Sequence, residues 1–161
     1  MNIRKAHNCD IPGLIALLLQ VGQVHHELRP DIFRPATQKY DEAALSALLT
    51  DEGRPVFVAM DGAFVAGYCF CIHREYKDSG VSTNRRELYI DDICVDENRR
   101  GQGIASALYR HVRDYAKNSG CSFITLNVWC GNEKAMHFYE KIGMRPRSIT
   151  MEASLEESYA D

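Results

Sequence analysis

The chain is 161 residues long, with 45% hydrophobic and 25% charged side chains, a size and balance that suit one globular domain spanning 1–161 and exclude a disordered polymer. Its 22 acidic against 19 basic side chains leave a net charge of -3, so no global cationic field gathers nucleic acid or anionic lipid. Met1-Asn2-Ile3-Arg4-Lys5 lacks the apolar core of a secretory signal, and the longest apolar run, at 14–19, is far short of the ~20 residues that cross a bilayer. The expectation is a soluble, cytoplasmic protein without membrane or nucleic-acid partners.

Ile3 sits in a short opening strand. Asn8 or Asp10 can cap a helix marked at helical spacing by Ile11, Leu14, Ile15, Leu18 and Leu19, with Gly22 as its expected end. Pro30 and Pro35 interrupt 24–35, which predicts a loop or broken helix before a second helix over 41–49. A strand at 54–60, the hairpin dipeptide Asp61-Gly62 and a return strand over 63–74 form a meander. The polar stretch 77–84 then reads as a loop, and 87–95 as the next strand. Gly101 and Gly103 precede a helix that places Ile104, Leu108, His111, Val112 and Tyr115 on one face and ends by Gly120. The β-prone segment 123–129, a helix capped by Asn132 and closed by Gly143, and a last strand near Ile149 complete the pattern. Strands and helices mixed in this way predict an α/β sheet with helices packed on it.

The six cysteines, Cys9, Cys69, Cys71, Cys94, Cys121 and Cys130, form no C-x-x-C pair and mostly lie in apolar segments, so reduced, buried thiols and no metal are expected. The tract from His25-His26 to Asp31 has histidines that are adjacent and point apart on a helix, which is not zinc-ligand spacing.

The segment 95–106 places Gly101 and Gly103 between a strand end and a helix start. The first helical turn leaves N–H groups unpaired and partly positive, and glycine lets a phosphate approach the backbone. No G-x-x-x-x-G-K-[ST] is present, and Ser106 stands where a dinucleotide fingerprint needs its third glycine, which argues against nucleoside triphosphates and NAD.

Val95-Asp-Glu-Asn-Arg-Arg-Gly-Gln-Gly-Ile-Ala resembles the acetyl-CoA loop of the GNAT superfamily of N-acetyltransferases, with Arg100, Gly103 and Ala105 filling its pattern of Arg or Gln, two residues, Gly, one residue, Gly or Ala. About thirty residues on, the run from Asn132 through Ala135, Phe138, Tyr139 and Gly143 to Met144 resembles a second signature of that family. The resemblance implies the GNAT fold, a mixed, mostly antiparallel sheet of six to seven strands with about four helices. It implies acetyl-CoA as co-substrate, held by Ile93, Cys94 and Val95 at the strand end, by Arg100, Gly101, Gln102, Gly103, Ile104, Ala105 and Ser106 of the loop, and by Asn132. The backbone amides of Ile93 and Val95 are the expected partners of the pantetheine arm. Many relatives pair as homodimers, which extends that expectation to this chain, with the last strand and 155–161 taking part.

An aliphatic amine with a pKa near ~10 is protonated at neutral pH, so its attack on a thioester needs a base. Glu87, Asp91 and Asp92 lie on the strand before the loop, and strict alternation places Glu87 and Asp91 on one face and Asp92 on the other. Asp91-Asp92 before Val95 is similar to the acidic pair of polyamine-type members of the family, which favours Asp91 as a direct or water-mediated base, with Asp92 as the alternative. Tyr139 resembles the family's general acid. The expected reaction is transfer of acetyl from acetyl-CoA directly to a primary amine, with small cationic amines such as polyamines or aminoglycosides favoured. The alternatives are acetylation of a protein N-terminus or lysine, and a non-catalytic acyl-CoA sensor. His25, His26, Glu27 and Arg29 fall where the family forms its acceptor wall.

Overall fold

The computed structural model describes residues 1–77 and 80–155. Its strands are β1 (Asn2–Lys5), β2 (Val56–Asp61), β3 (Phe64–Tyr76), β4 (Arg85–Val95) and β5 (Phe123–Leu126). Its helices are α1 (Ile11–Leu28), α2 (Glu42–Leu48), α3 (Ile104–Asn118) and α4 (Glu133–Lys141). The sheet runs β1-β2-β3-β4-β5, antiparallel except for the parallel β4–β5 pair.

One apolar cluster joins α1 and α2 to one face of the sheet through Leu14, Leu17, Leu18, Leu45, Val58, Tyr68, Phe70 and Cys94. A second joins α3 to the opposite face through Leu108, Val112, Phe57, Cys69, Cys71, Leu88 and Ile90. The alternation of β3 explains the split, since Tyr68 and Phe70 face one layer while Cys69 and Cys71 face the other. An Arg4–Asp10 ion pair of 2.6 Å, with the His7 N–H donating to the same carboxylate at 2.8 Å, fixes α1 to β1.

Three expectations need correction. First, α1 does not end at Gly22 but continues to Leu28. Gly22 is needed by packing, because a Cβ there would strike the Thr37 carbonyl oxygen of the α1–α2 loop. Second, five strands are present among the described residues, not six or seven, and none forms near Ile149. Residues 145–155 run exposed and make no ladder; they are tied down by side chains, with Arg147 on Glu87 at 2.8 Å and Glu152 on Arg29 at 2.5 Å. Third, the strict alternation assumed for β4 is broken. Phe70 is paired with Asp92 and Cys71 with Ile90, so Asp91 is the extra residue of a β-bulge. Ile90 and Ile93 consequently both pack toward α3, and Asp92 points to the opposite layer, where the Tyr68 hydroxyl donates to it at 2.8 Å. Asp91 meets Lys39 and Tyr40 of the α1–α2 loop, so both acids serve the same side of the sheet.

Gly22→Ala should gain about 1 kcal/mol of helix propensity yet lower stability overall, since overpacking against backbone costs about 1–3 kcal/mol. Urea denaturation checks the sign.

Candidate functional site

The β4–β5 pairing stops at Ile90↔Leu126, whereas β4 continues to Val95. Beyond Ile90 only β3 pairs with β4, through Asp92, Ile93, Cys94 and Val95. The Asp96 N–H donates to Ala66 on β3 at 3.0 Å. Because successive residues turn their backbone polar groups to opposite edges, those of Val95 and Ile93 point to the open side. The Arg100 Nε–H donating to the Val95 carbonyl at 3.3 Å agrees with that direction. A strip of about 13 Å therefore offers strand-type hydrogen bonds to an extended ligand. Cys94 contributes to it only as spacing, with its side chain in the core and its Sγ 3.7 Å from the Leu17 carbonyl.

One end of this strip leads into the glycine loop. Gly101 and Gly103 both have φ of 78°, a left-handed conformation that a Cβ would strain, and nothing lies within 4 Å of where either Cβ would be. Gly103 caps α3 without a side-chain hydrogen bond, and the first helical bond is Ala107 N–H to Gly103 at 3.0 Å. The N–H groups of Ile104, Ala105 and Ser106 thus precede the helical ladder, beside glycines with open space around them, an arrangement able to accept a phosphate group. Gln102 is exposed at the loop tip, and the Ile104 side chain anchors the turn in the core. Gln20 of α1 steadies the approach: its Nε2 donates to Asp96 at 3.0 Å and its Oε1 accepts from the Glu97 N–H at 3.0 Å.

The other end of the strip holds the acid pair. Burial pushes the Asp92 carboxyl up to about 6, with the Asp91 charge adding to the shift and Tyr68 and Lys39 opposing it. Asp91 Oδ2 lies 2.6 Å from Lys39 Nζ and accepts from the Tyr40 hydroxyl at 3.4 Å. Glu87 belongs elsewhere. It is buried, and burial raises its pKa, but Arg85 at 2.7 Å and Arg147 at 2.8 Å outweigh that effect and hold it below the ordinary carboxylate range.

On α4, burial raises the Tyr139 phenol above its ordinary pKa, and the charge of nearby Asp92 raises it further. The phenol therefore keeps its proton through the neutral range. Asn132 caps α4 by accepting from the Ala135 N–H at 3.1 Å, and it lines a cleft of about 290 Å³ with Val24, Glu27 and Leu28.

The α1–α2 loop closes over this region by aromatic contacts. Phe33 lies 5.1 Å from His25 and 5.2 Å from Trp129, while His26 Nδ1 contacts the Phe33 carbonyl at 2.7 Å. Arg29 pairs with Asp31 at 2.6 Å and with Glu152. His25, His26 and Arg29 are thus engaged in contacts within the chain, and no group of three metal-type side chains gathers among the described residues. The cysteines are free; Cys69, Cys71 and Cys94 are buried, Cys121 is partly so, and Cys9 and Cys130 are exposed. Burial pushes the Cys94 thiol up to about 12, which denies it a nucleophilic thiolate at neutral pH. Lys39, Tyr40, Tyr68 and Gln20 were not legible as site residues, since no motif contains them and only the fold brings them to β4.

Residues 21–144 match the profile of the acetyltransferase (GNAT) family. The chain belongs to that family. It is an acetyl-CoA-dependent N-acetyltransferase. A thialysine N-epsilon-acetyltransferase of Bos taurus is 27% identical over 151 residues, covering 88% of this chain and 82% of the relative. A solved variant of the BH1408 protein from Bacillus halodurans superimposes with a TM-score of 0.92 at 31% identity, covering 96% of this chain and 99% of that one. An aminoglycoside acetyltransferase from an uncultured soil metagenomic sample, solved in complex with sisomicin, shares the fold with a TM-score of 0.71 at 18% identity, covering 96% of each chain. Like the family, this acetyltransferase uses acetyl-CoA as co-substrate. No helix among the described residues is long and apolar enough to cross a membrane.

Gly103→Ala should force a left-handed alanine, at about 1–2 kcal/mol, and weaken acetyl-CoA binding by about tenfold. Isothermal titration calorimetry measures this directly; unchanged affinity would place the cofactor outside the loop.

Proposed function

We propose that the acceptor is a small cationic primary amine, a polyamine, aminoglycoside or lysine-like compound, with Asp92 as the base and Asp91 as the cation's counter-charge. The observation that carries this reading is the bulge that brings both carboxylates to the same side of β4, where the open strip begins. Two adjacent carboxylates create a negative field that draws ammonium groups and disfavours acidic acceptors. The relatives named for thialysine and aminoglycosides are consistent with amine acceptors of this kind.

Acetyl-CoA supplies the acetyl group as an activated thioester. The amides of Ile93 and Val95 align its pantetheine arm, the loop from Gly101 to Ser106 with Arg100 binds its pyrophosphate, and Asn132 borders the same space. Asp92 takes the proton that the attacking amine must lose. Its pKa of about 6 leaves it ionised at neutral pH and closer to the amine in proton affinity than an ordinary carboxylate. Asp91, favoured as the base from the sequence, is assigned to holding the cation because its oxygen already binds an ammonium. Tyr139 supplies a proton to the departing thiolate, whose conjugate acid has a pKa near ~8.5.

A homodimer is proposed as well. Ile149, Met151 and Leu155 alternate along the C-terminal segment at 78%, 85% and 97% exposure, and a second copy would cover them. The expected contribution of 156–161 lies outside the described residues. Sedimentation should show a dimer that weakens when Ile149 and Met151 are replaced by serine.

Mass spectrometry of reactions containing acetyl-CoA and a panel of polyamines, aminoglycosides, amino acids and peptides should find acetylation of cationic amines; products only from acidic or neutral acceptors would reject the assignment. Because the base is active only when ionised, kcat/KM should rise with pH through an apparent pKa near 6, and Asp92→Asn should abolish that limb. The raised pKa also means that ionisation of Asp92 opposes folding: its penalty is absent below the unfolded carboxyl's pKa and grows as pH rises through about 6. Asp92→Asn should accordingly raise the melting temperature above that window and not below it. Tyr139→Phe should lower kcat by about a hundredfold and leave acetyl-CoA affinity unchanged.

A further inference from the structure

We infer that Lys39 is a substrate of its own chain, acetylated at Nζ by the site it leans into when no free amine occupies that site. The inference rests on the reading of Asp91 and Asp92 as the acceptor end of the active site. Lys39 Nζ lies 2.6 Å from Asp91 Oδ2, in the position assigned to an acceptor ammonium. Of the ion pairs among the described residues, only this one brings a lysine to the acid pair; Lys5 and Lys77 bind Glu52 and Glu75 instead.

Two contacts hold the backbone that presents Lys39. On one side, the Thr37 carbonyl rests against Gly22 of α1. On the other, the Tyr40 ring stacks on Phe70 at 5.7 Å, and its hydroxyl accepts from Arg54 at 2.8 Å while donating to Asp91. The lysine stem therefore starts from a fixed point, and only its side-chain torsions vary. The Lys39 side chain retains 47% exposure, so it is not sealed in a core. Burial disfavours the Lys39 ammonium, but the hydrogen bond and charge of Asp91 outweigh that effect and raise its pKa. Removing its proton thus needs a base, and Asp92 is adjacent.

The ligand's direction supports the same placement. The pyrophosphate end belongs at the α3 terminus and the arm follows Val95 and Ile93, so the thioester reaches the Asp91 end, where Lys39 waits. Tethering the amine beside its target replaces a bimolecular encounter with a unimolecular one. In the step, the Nζ–acyl bond forms as the acyl C–S bond breaks. Asp92 accepts the first Nζ proton, freeing the lone pair that attacks, and sulfur departs with the bonding pair and is protonated by Tyr139. The second Nζ proton restores the Tyr139 phenol through solvent, so that one proton is released overall. The products are CoA and an uncharged acetyl-lysine. Acetyl-lysine has no ammonium for Asp91, so the modification vacates the cation's place.

The test is peptide mapping by mass spectrometry after incubation of the full chain with isotopically labelled acetyl-CoA and no acceptor, beside parallel reactions containing the amine panel. Label should appear on Lys39 ahead of other lysines, with a rate per molecule that stays constant on dilution, and should be lost in Asp92→Asn. Acetyl already present on Lys39 in the purified protein and missing from Asp92→Asn would count equally. Lys39→Arg should remove the labelled peptide and leave slow surface labelling. Label spread evenly over lysines, label that persists in Asp92→Asn, or a rate that falls with dilution would overturn the inference. An unlabelled Lys39 alongside acetylated panel amines would overturn it alone; an unlabelled Lys39 with a silent panel would overturn the assigned acceptor site as well.

Discussion

The site depends on where β4 loses its parallel partner. Up to Ile90 the strand is bonded on both edges, and beyond it only β3 remains. A sheet edge inside a folded protein is a row of unpaired donors and acceptors, and such groups are costly unless something binds them. In this chain the row continues into a helix start that also has free N–H groups. One continuous backbone surface thereby presents an open strand edge at one end and the unpaired N–H groups of a helix start at the other. Side-chain chemistry is left to the far end.

The bulge at Asp91 determines what that chemistry is. Without the extra residue, Asp92 would lie in the α3 layer among Leu88 and Ile90, an apolar environment with no partner for a carboxylate. With it, Asp92 gains the Tyr68 hydroxyl and Asp91 gains Lys39 and Tyr40. The two acids then differ in surroundings, because Asp92 is recessed against the Tyr68 hydroxyl and Asp91 faces an ammonium. Burial raises the Asp92 pKa, which is why the proposed mechanism gives the proton exchange to that carboxylate.

The α1–α2 loop is the second determinant. Gly22 admits its backbone against α1, Tyr40 pins it to β3 through Phe70, and Phe33 with Trp129 pins it to the segment after β5. A loop held at three places behaves as a wall. Lys39 and Arg29 extend from it as charges, and each meets a carboxylate from a distant part of the chain.

Much of this was written in the sequence. Hydrophobic period located the helices and strands closely, apart from α1, whose Gly22 looked like a terminator because local propensity does not register an approaching loop. Gly101, Gly103 and Asn132 stood out because a left-handed turn and a capped helix leave marks on consecutive residues, whereas Arg100 and Tyr139 were singled out only by the family resemblance. The strand near Ile149 was over-read, since alternation signals a capacity to pair but cannot supply the partner edge. The sequence by itself carried the family's signatures, the glycine turn and the elements that flank it; the turn and the elements rest on short-range rules of spacing and conformation. The common side of Asp91 and Asp92, the raised proton affinity of Asp92 and the ammonium of Lys39 between loop and strand were decided only by the tertiary structure. Register, burial and charge are properties of what segments meet, and those meetings join residues as far apart as Lys39 and Asp91.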